Sequence, residues 1–493
     1  MTAFSSSSQD AIVRAIQVKP DTSADQLSAE DLDAYYEIEE TAKELVQNDY
    51  KRIALQFPDE LLHNSVIIYK RLKARVGNGR ELYVLADTSY GSCCVDEVAA
   101  QHVDADAMVH YGYACMSQTS RLPVIFVLGK RKIDTGHCVE TLVNTLKSNV
   151  PSGSQVSGPI LLRLDVAFAH RAEEIRDQLE QVLGLSIRYT KPSSKSVPSS
   201  TESSSSQPEP LSHYPTILYV GGESLGLTNL LMTNAASNIM SYDPETSTAK
   251  LESSRTNKLL MRRYAVVQKA RDADVFGILV GTLGVASYLP LIKYLRTLLA
   301  KNHKKSYTIC VGKLNPAKLA NFLEIECFVL VACPENSLID AKDFFRPIVT
   351  PFELEIALQA KQSWTGRYVL DFGQLLAESR DIQDSTGRDA VGQDSEEEDL
   401  DSPMFSLITG TYRHAKRYGD KPDTTTAEIE DQGSSVILRN QEGRLTKMEN
   451  SAAAQFLQSR AYRGLDPRIG EDAPGILEQG RSGLARRYRD DEA

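Results

Sequence analysis

The chain has 493 residues, with 55 Lys+Arg against 66 Asp+Glu and a formal net charge of −11, an acidic balance that excludes a nucleic-acid binder working through a broad basic face. Hydrophobic residues make up 41%, charged residues 25%, and mean hydropathy is −0.30, so a soluble protein with a real core is expected, with room for two to four domains at roughly 100–200 residues each. The segment MTAFSSSSQDAIVRA lacks the apolar core of a secretory signal, no stretch approaches the about 18 apolar residues of a membrane span, and seven thinly spread cysteines exclude a disulfide scaffold, so a reducing, cytoplasmic setting without a membrane is expected.

Residues 1–27 are rich in Ser, Asp and Thr and read as disordered. Ser28 is a natural N-cap for one helix whose apolar positions are Leu32, Tyr35, Tyr36, Ile38 and Leu45. A strand over 53–57 is followed by a helical face of Leu62, Val66, Tyr69 and Leu72. A strand over 81–86, the loop DTSYGSCC, a helix from about Asp96 and a strand over 107–112 come next. Strands alternating with helices predict an α/β fold with parallel sheets and helical crossovers. PILLRLDVAFAH (159–170), a helix from about Arg171 and TILYVGG (216–222) supply a second such unit. It is interrupted by KPSSKSVPSSTESSSSQPEPLSHYP (191–215), which is too polar to offset its ordering entropy and reads as a disordered insertion. The helix NKLLMRRYAVVQKARDA (257–273), with Arg262 and Arg263 on a solvated face, leads to a third set. That set has strands over 275–280, 307–311 and 326–331, a helix over 288–300 and a short helix near Pro316.

AMVHYGYAC (107–115) and ECFVLVAC (326–333) are both apolar strands running into a cysteine, a weak internal similarity, carried by element order more than by identity, that suggests duplicated α/β domains. The expected division is 28–150, 151–265 and 266–375, then an acidic disordered linker over 376–404 and a C-terminal extension over 405–493 with a helix near Ala452–Tyr462 that could dock on a partner. The acidic stretch RDIQDSTGRDAVGQDSEEEDLDS (380–402) reads as a solvated linker rather than a regulated phosphorylation segment.

In open parallel sheets, ligands sit beyond the carboxyl ends of the strands. Cys93 and Cys94 follow the second strand of the first repeat, Cys115 follows its third strand, and Cys333 follows the third strand of the last repeat. Cys310 and Cys327 lie inside apolar strands, where free cysteine acts as a small hydrophobe, and Cys138 sits at a helix start. No C-x₂₋₄-C zinc knuckle or CxxC redox pair is present. Dispersed thiolates on separate loops suit an iron–sulfur cluster, although each cysteine taken alone reads better as a buried structural thiol. The shared strand-end position shifts the group toward ligation without deciding it. A vicinal Cys93–Cys94 disulfide is disfavoured by a reducing compartment. GTLGVAS (281–287) reads as a tight turn rather than a phosphate loop, and the histidines at 102, 110 and 137 have no zinc-hydrolase spacing.

The stretch DTSYGSCCVDEVAAQHVDADAMVHYGYAC (87–115) resembles the eukaryotic diphthamide biosynthesis protein 2 family. IALQFPDELL (53–62), VFGILVGTLGVASYLPLIKYL (275–295), FVLVACPENSLID (328–340), RPIVTPFELEIAL (346–358) and RAYRGLDPR (460–468) carry the same resemblance. It implies three similar α/β domains around a central [4Fe–4S] cluster, and a heterodimer with a paralogous catalytic subunit that binds S-adenosylmethionine. That pair moves a 3-amino-3-carboxypropyl group from S-adenosylmethionine to a histidine of translation elongation factor 2, by radical chemistry that uses no CxxxCxxC motif. None occurs here. The catalytic paralogue resembles this chain at Cys93 and Cys333 but also has a ligand cysteine in its middle domain, whereas this chain has none between Cys138 and Cys310. The resemblance therefore implies an accessory subunit, with Cys93, Cys115 and Cys333 as metal ligands and Cys94 as the competitor for the third place. Its cluster would pass electrons from a donor protein to the catalytic paralogue. The alternatives are a cluster-free scaffold that stabilises the paralogue and presents elongation factor 2, and a stand-alone α/β enzyme acting on a nucleotide-like ligand.

Overall fold

The first buried strand, β1 (Arg52–Gln56), is flanked in sequence by helices whose apolar faces return to it. With β2 (Glu81–Val84), β3 (Ala107–Tyr111) and β4 (Val124–Val127) it forms a parallel sheet in the order β2-β1-β3-β4. In this computed structural model the described residues are 20–378, 403–416 and 418, apart from 86–89, 120, 150–157, 193–194, 197–213, 286, 340–343 and 359–366.

The same plan recurs twice. The middle part of the chain supplies β5 (Ile160–Leu164), β6 (Ile187–Tyr189), β7 (Lys195–Ser196), β8 (Thr216–Val220), β9 (Asn238–Asp243) and β10 (Thr248–Leu251). Four of them run parallel as β6-β5-β8-β9, and β10 closes that edge antiparallel. The third sheet takes β11 (Val275–Val280), β12 (Lys305–Cys310), β13 (Cys327–Val331) and β14 (Ile348–Val349) in the order β12-β11-β13-β14. In each sheet the parallel strands stand in the order second, first, third, fourth. The expected α/β fold of three similar lobes, each a small parallel sheet with flanking helices, is borne out.

Each lobe has its own core. In the first, Ile53, Leu55 and Val109 of the sheet meet Leu45, Ile68 and Leu72 of the helices Ile38–Gln47 and Ser65–Val76. In the third, Phe276, Ile278 and Val329 meet Leu291, Leu295 and Leu299, spaced every four residues along Tyr288–Lys301. Each such side chain contributes about 1.5–3 kcal/mol on full burial. Among the described residues no helix is long and apolar enough to cross a membrane.

Several expectations are corrected. Ser28 does cap a helix, accepting from Asp31 N at 3.2 Å, but that helix is Ala29–Tyr35 and a second one runs Ile38–Gln47. The chain breaks at Glu37 (φ 48°), which allows both Tyr36 and Ile38 to turn inwards. Within the Ser-rich segment 191–215, Lys195–Ser196 are ordered as β7, pairing antiparallel with Val124 and Ile125 of β4. A strand edge with unpaired backbone groups recruits even a polar partner, because the pairing is made by the main chain. Residues 20–27 are also ordered: Asp21 N donates to Glu60 O, and Asp21 Oδ2 accepts from Arg131. The acidic stretch 380–402, the helix near Ala452–Tyr462 and RAYRGLDPR lie outside the described residues. Before them, residues 403–416 carry the strands β15 (Met404–Phe405) and β16 (Tyr412–Arg413) as a hairpin, tied to the third lobe by an ion pair of Arg413 with Asp274 at 2.6 Å.

The largest correction concerns Arg263. Arg262 is solvated as expected, but Arg263 is only 8% exposed and faces the third lobe's interior. Its Nε donates to Glu353 Oε1 at 2.7 Å, and Nη2 donates to Glu353 Oε2 and to Ile348 O. Tyr368 also donates to Glu353 Oε1, at 2.7 Å. Burial works against the guanidinium charge, and the adjoining carboxylate more than offsets it, so Arg263 stays firmly charged.

Candidate metal centre

Four thiols that are far apart in sequence meet at the carboxyl ends of the first and third sheets. Cys93 and Cys94 occupy the loop between β2 and the helix Glu97–Gln101, which Asp96 caps through Ala99 N at 2.9 Å. Two buried polar side chains on neighbouring strands pin that loop. Gln56, at the end of β1, donates from Nε2 to Cys94 O at 2.8 Å and accepts from Asp96 N at 2.9 Å. His110, its register partner on β3, places Nε2 3.3 Å from Ser92 O. That contact requires Nε2 to carry the proton, and burial pushes the imidazole pKa below its usual range.

Cys115 is drawn in by its own backbone, since its N donates to Cys93 O at 3.1 Å. Cys333 follows β13 and is fully buried, and Ser337 Oγ bonds its carbonyl at 2.9 Å. The seam between the two lobes relies on Gly284, in the turn after β11. A Cβ there would stand 2.0 Å from the backbone oxygen of Val95, so only glycine lets the turn lie against the loop that carries Cys94. Lys313 and Asp59 tie the same lobes with an ion pair at 2.8 Å.

The resulting geometry is tight. Cys93 Sγ lies 3.7 Å from Cys333 Sγ, Cys94 Sγ lies 3.9 Å from Cys115 Sγ, and all four sulfurs fall within 4.8 Å of one another. Tyr113, two residues before Cys115, and Val285 are partly buried and pack against them. Hydrogen bonds from Cys333, Cys93 and Cys94 hold the Cys115 thiol well down. The same contacts with Cys115, together with burial, push Cys93 and Cys94 up. Glu335 closes one side: burial, then the charge of Cys115, push its carboxyl up to about 8.

All four strand-end thiols singled out in the sequence are thus brought together, including Cys94. The middle lobe supplies backbone instead of sulfur, with Gly226 lying against the Tyr113 hydroxyl. Cys138 and Cys327 are core thiols, as expected. Cys310 is not: it ends β12, an edge strand, and is exposed. Gln56, His110, Tyr113, Gly91, Gly284 and Asn336 escaped the sequence reading. Gln56 offered a signal, as a polar residue ending an otherwise apolar strand.

Sulfurs at the corners of a tetrahedron with metal–sulfur bonds of about 2.3 Å stand about 3.8 Å apart. The donor set, all soft and mostly buried, fits one tetrahedral ion as it stands and is of the kind that holds iron–sulfur clusters. Gly284→Ala would displace the Val95 carbonyl and with it Cys94. The expected result is a loss of about 10–100-fold in metal affinity with the fold retained, read by metal analysis alongside circular dichroism.

Three parallel-sheet lobes of one topology, with thiols converging at the strand ends of two of them, define a class of α/β protein whose thiol cluster could hold a soft metal centre. The chain belongs to the diphthamide synthesis protein family, which it matches over residues 57–369. It is 39% identical to the 2-(3-amino-3-carboxypropyl)histidine synthase subunit 2 of Cryptococcus neoformans, over 99% of this chain and 98% of that protein. The protein of the same name from Danio rerio is 38% identical over 99% and 97%, and that from Schizosaccharomyces pombe 41% over 93% and 91%. The crystal structure of Dph2 from Pyrococcus horikoshii with a 4Fe–4S cluster superimposes with a TM-score of 0.51 at 24% identity, covering 68% of this chain and 93% of that one, and so shares the fold.

Proposed function

We propose that this chain is the accessory subunit of a two-chain transferase that moves a 3-amino-3-carboxypropyl group from S-adenosylmethionine to a histidine of translation elongation factor 2. The observation that carries this reading is the site of Cys93, Cys94, Cys115 and Cys333 in a chain whose relatives are named as a second synthase subunit. Cys93, Cys115 and Cys333 are assigned as ligands of a [4Fe–4S] cluster, with Cys94 in position to serve as a fourth. The bound group would supply one-electron redox chemistry. This chain's residues hold it: Gln56 and His110 fix the thiol loop, and Tyr113 and Val285 pack against the sulfurs. With Cys94 as a fourth thiolate no iron would be left open to a substrate; S-adenosylmethionine would bind the paralogous catalytic subunit, and electrons from a cytoplasmic donor protein would pass through this one.

Reconstitution with and without this chain under limiting reductant tests the role. The expected result is a dependence on this chain that disappears with excess dithionite. Full modification of elongation factor 2 by a quadruple Cys→Ala variant, in cells lacking the wild-type chain, would establish a cluster-free scaffold instead. A second reading is favoured by the spacings of 3.7 and 3.9 Å, which match a single tetrahedral ion. One zinc per chain without acid-labile sulfide would establish it.

A further inference from the structure

Three residues beyond Cys333, Asn336 turns its side chain back toward the first lobe, and its Nδ2 donates to Cys93 Sγ at 3.1 Å. This contact crosses 243 positions of sequence and joins a neutral amide to a mostly buried thiol. Room for it is made by Gly91, where a Cβ would stand 2.1 Å from Asn336 Nδ2. Beside the amide lies a cavity of about 290 Å³, lined in part by Asp59, Tyr90, Lys313 and Leu314. Gly91 has a backbone that alanine also adopts, so what its missing side chain provides is the space the amide fills.

A hydrogen bond donated to a ligand sulfur stabilises the more negative, reduced form of an iron–sulfur centre, and beside a mostly buried thiol it is screened less than in water. The geometry points to Asn336 as the positioning residue that sets the reduction potential of the centre held by Cys93, with Gly91 as the residue that seats its amide. This rests on the iron–sulfur reading given above. Removing the donor makes the centre harder to reduce, and placing a carboxylate there makes it harder still.

The test is an EPR-monitored potentiometric titration of the anaerobically reconstituted full-length chain, with iron and sulfide counted in every sample. Asn336→Ala and Gly91→Ala are both expected to lower the reduced-to-oxidised ratio at least threefold at a fixed potential, about 30 mV for a one-electron couple. Asn336→Asp is expected to lower it further, and Asn336→Gln to recover part of the loss. Gly91→Ala keeps every thiol and Asn336 itself, and the neighbouring cavity receives the displaced amide, so it decides the matter should Asn336→Ala bind less iron. Wild-type midpoint potentials in loaded Asn336→Ala or Gly91→Ala would overturn the inference while leaving the cluster assignment intact. A wild-type chain that takes up no iron and sulfide would overturn both.

Discussion

Replacing Cys333 with alanine is expected to empty the thiol site and to loosen the attachment of the third lobe to the first. Cys333 is the only thiol of the third lobe in the site among the described residues, and it faces Cys93 across 240 positions. A metal bonded to both closes a very long loop in the unfolded chain, a constraint of about 5 kcal/mol by the loop-closure relation. Its loss is expected to lower the unfolding temperature of the metal-loaded protein by about 10 °C, on top of the loss of bound metal. Metal analysis and calorimetry on loaded and chelated samples check both effects. Cys138→Ala is the control: that thiol is buried in the middle lobe's core, so the variant should keep its metal while losing some packing energy. Equal metal content in Cys333→Ala and wild type would refute the ligand assignment.

The second large effect is expected outside the four-thiol site. Glu353→Ala should destabilise the chain by about 3–5 kcal/mol, because it strands the buried Arg263 guanidinium without its counter-charge. Glu353 has a further task at the start of the helix Pro351–Leu358. Its Oε2 accepts from Thr350 N at 2.9 Å, while Thr350 Oγ1 accepts from Glu353 N at 3.3 Å, a reciprocal capping box with proline in the first helical turn. One carboxylate therefore neutralises a buried cation and caps a helix. Urea denaturation should show a lowered midpoint with unchanged slope. A double replacement of Arg263 and Glu353 by Met and Leu should recover most of the loss, since removing both charges abolishes the desolvation penalty. If Glu353→Ala matched wild type, the network would have to be peripheral to stability.

Legibility in the sequence followed the strength of each local signal. Long apolar strands such as Val275–Val280 and amphipathic helices such as Tyr288–Lys301 are evident from periodicity. The four-residue β4 and the three-residue β6 are too short for any period to register, and β7 exists only because an edge of β4 was available to pair. The four thiols could be picked out because strand ends in parallel sheets collect ligands, whereas their supporting residues could not. Asn336 and Gly91 matter through one contact between lobes, and nothing local marks it. Arg263 shows the opposite failure. Its doublet with Arg262 looks like a solvated face, yet adjacent helical positions point about 100° apart, so one can face water while the next is buried. The T-P-F-E run at 350–353 carried the missing signal, a capping glutamate placed to receive a cation.

The distribution of thiols along the chain also sets an order of events during synthesis. Cys93, Cys94 and Cys115 belong to the first lobe, and Cys333 emerges from the ribosome 240 residues after Cys93. Cys115 is followed by 218 further residues up to Cys333, so at about 5–20 residues per second the nascent chain spends about 11–44 s with three clustered thiols and no fourth. In that interval an adjacent cysteine pair stands beside a third sulfur without its cover, open to oxidants and to premature metal capture. Translation speed and the local supply of reductant thereby become determinants of how much of the finished protein carries an intact site.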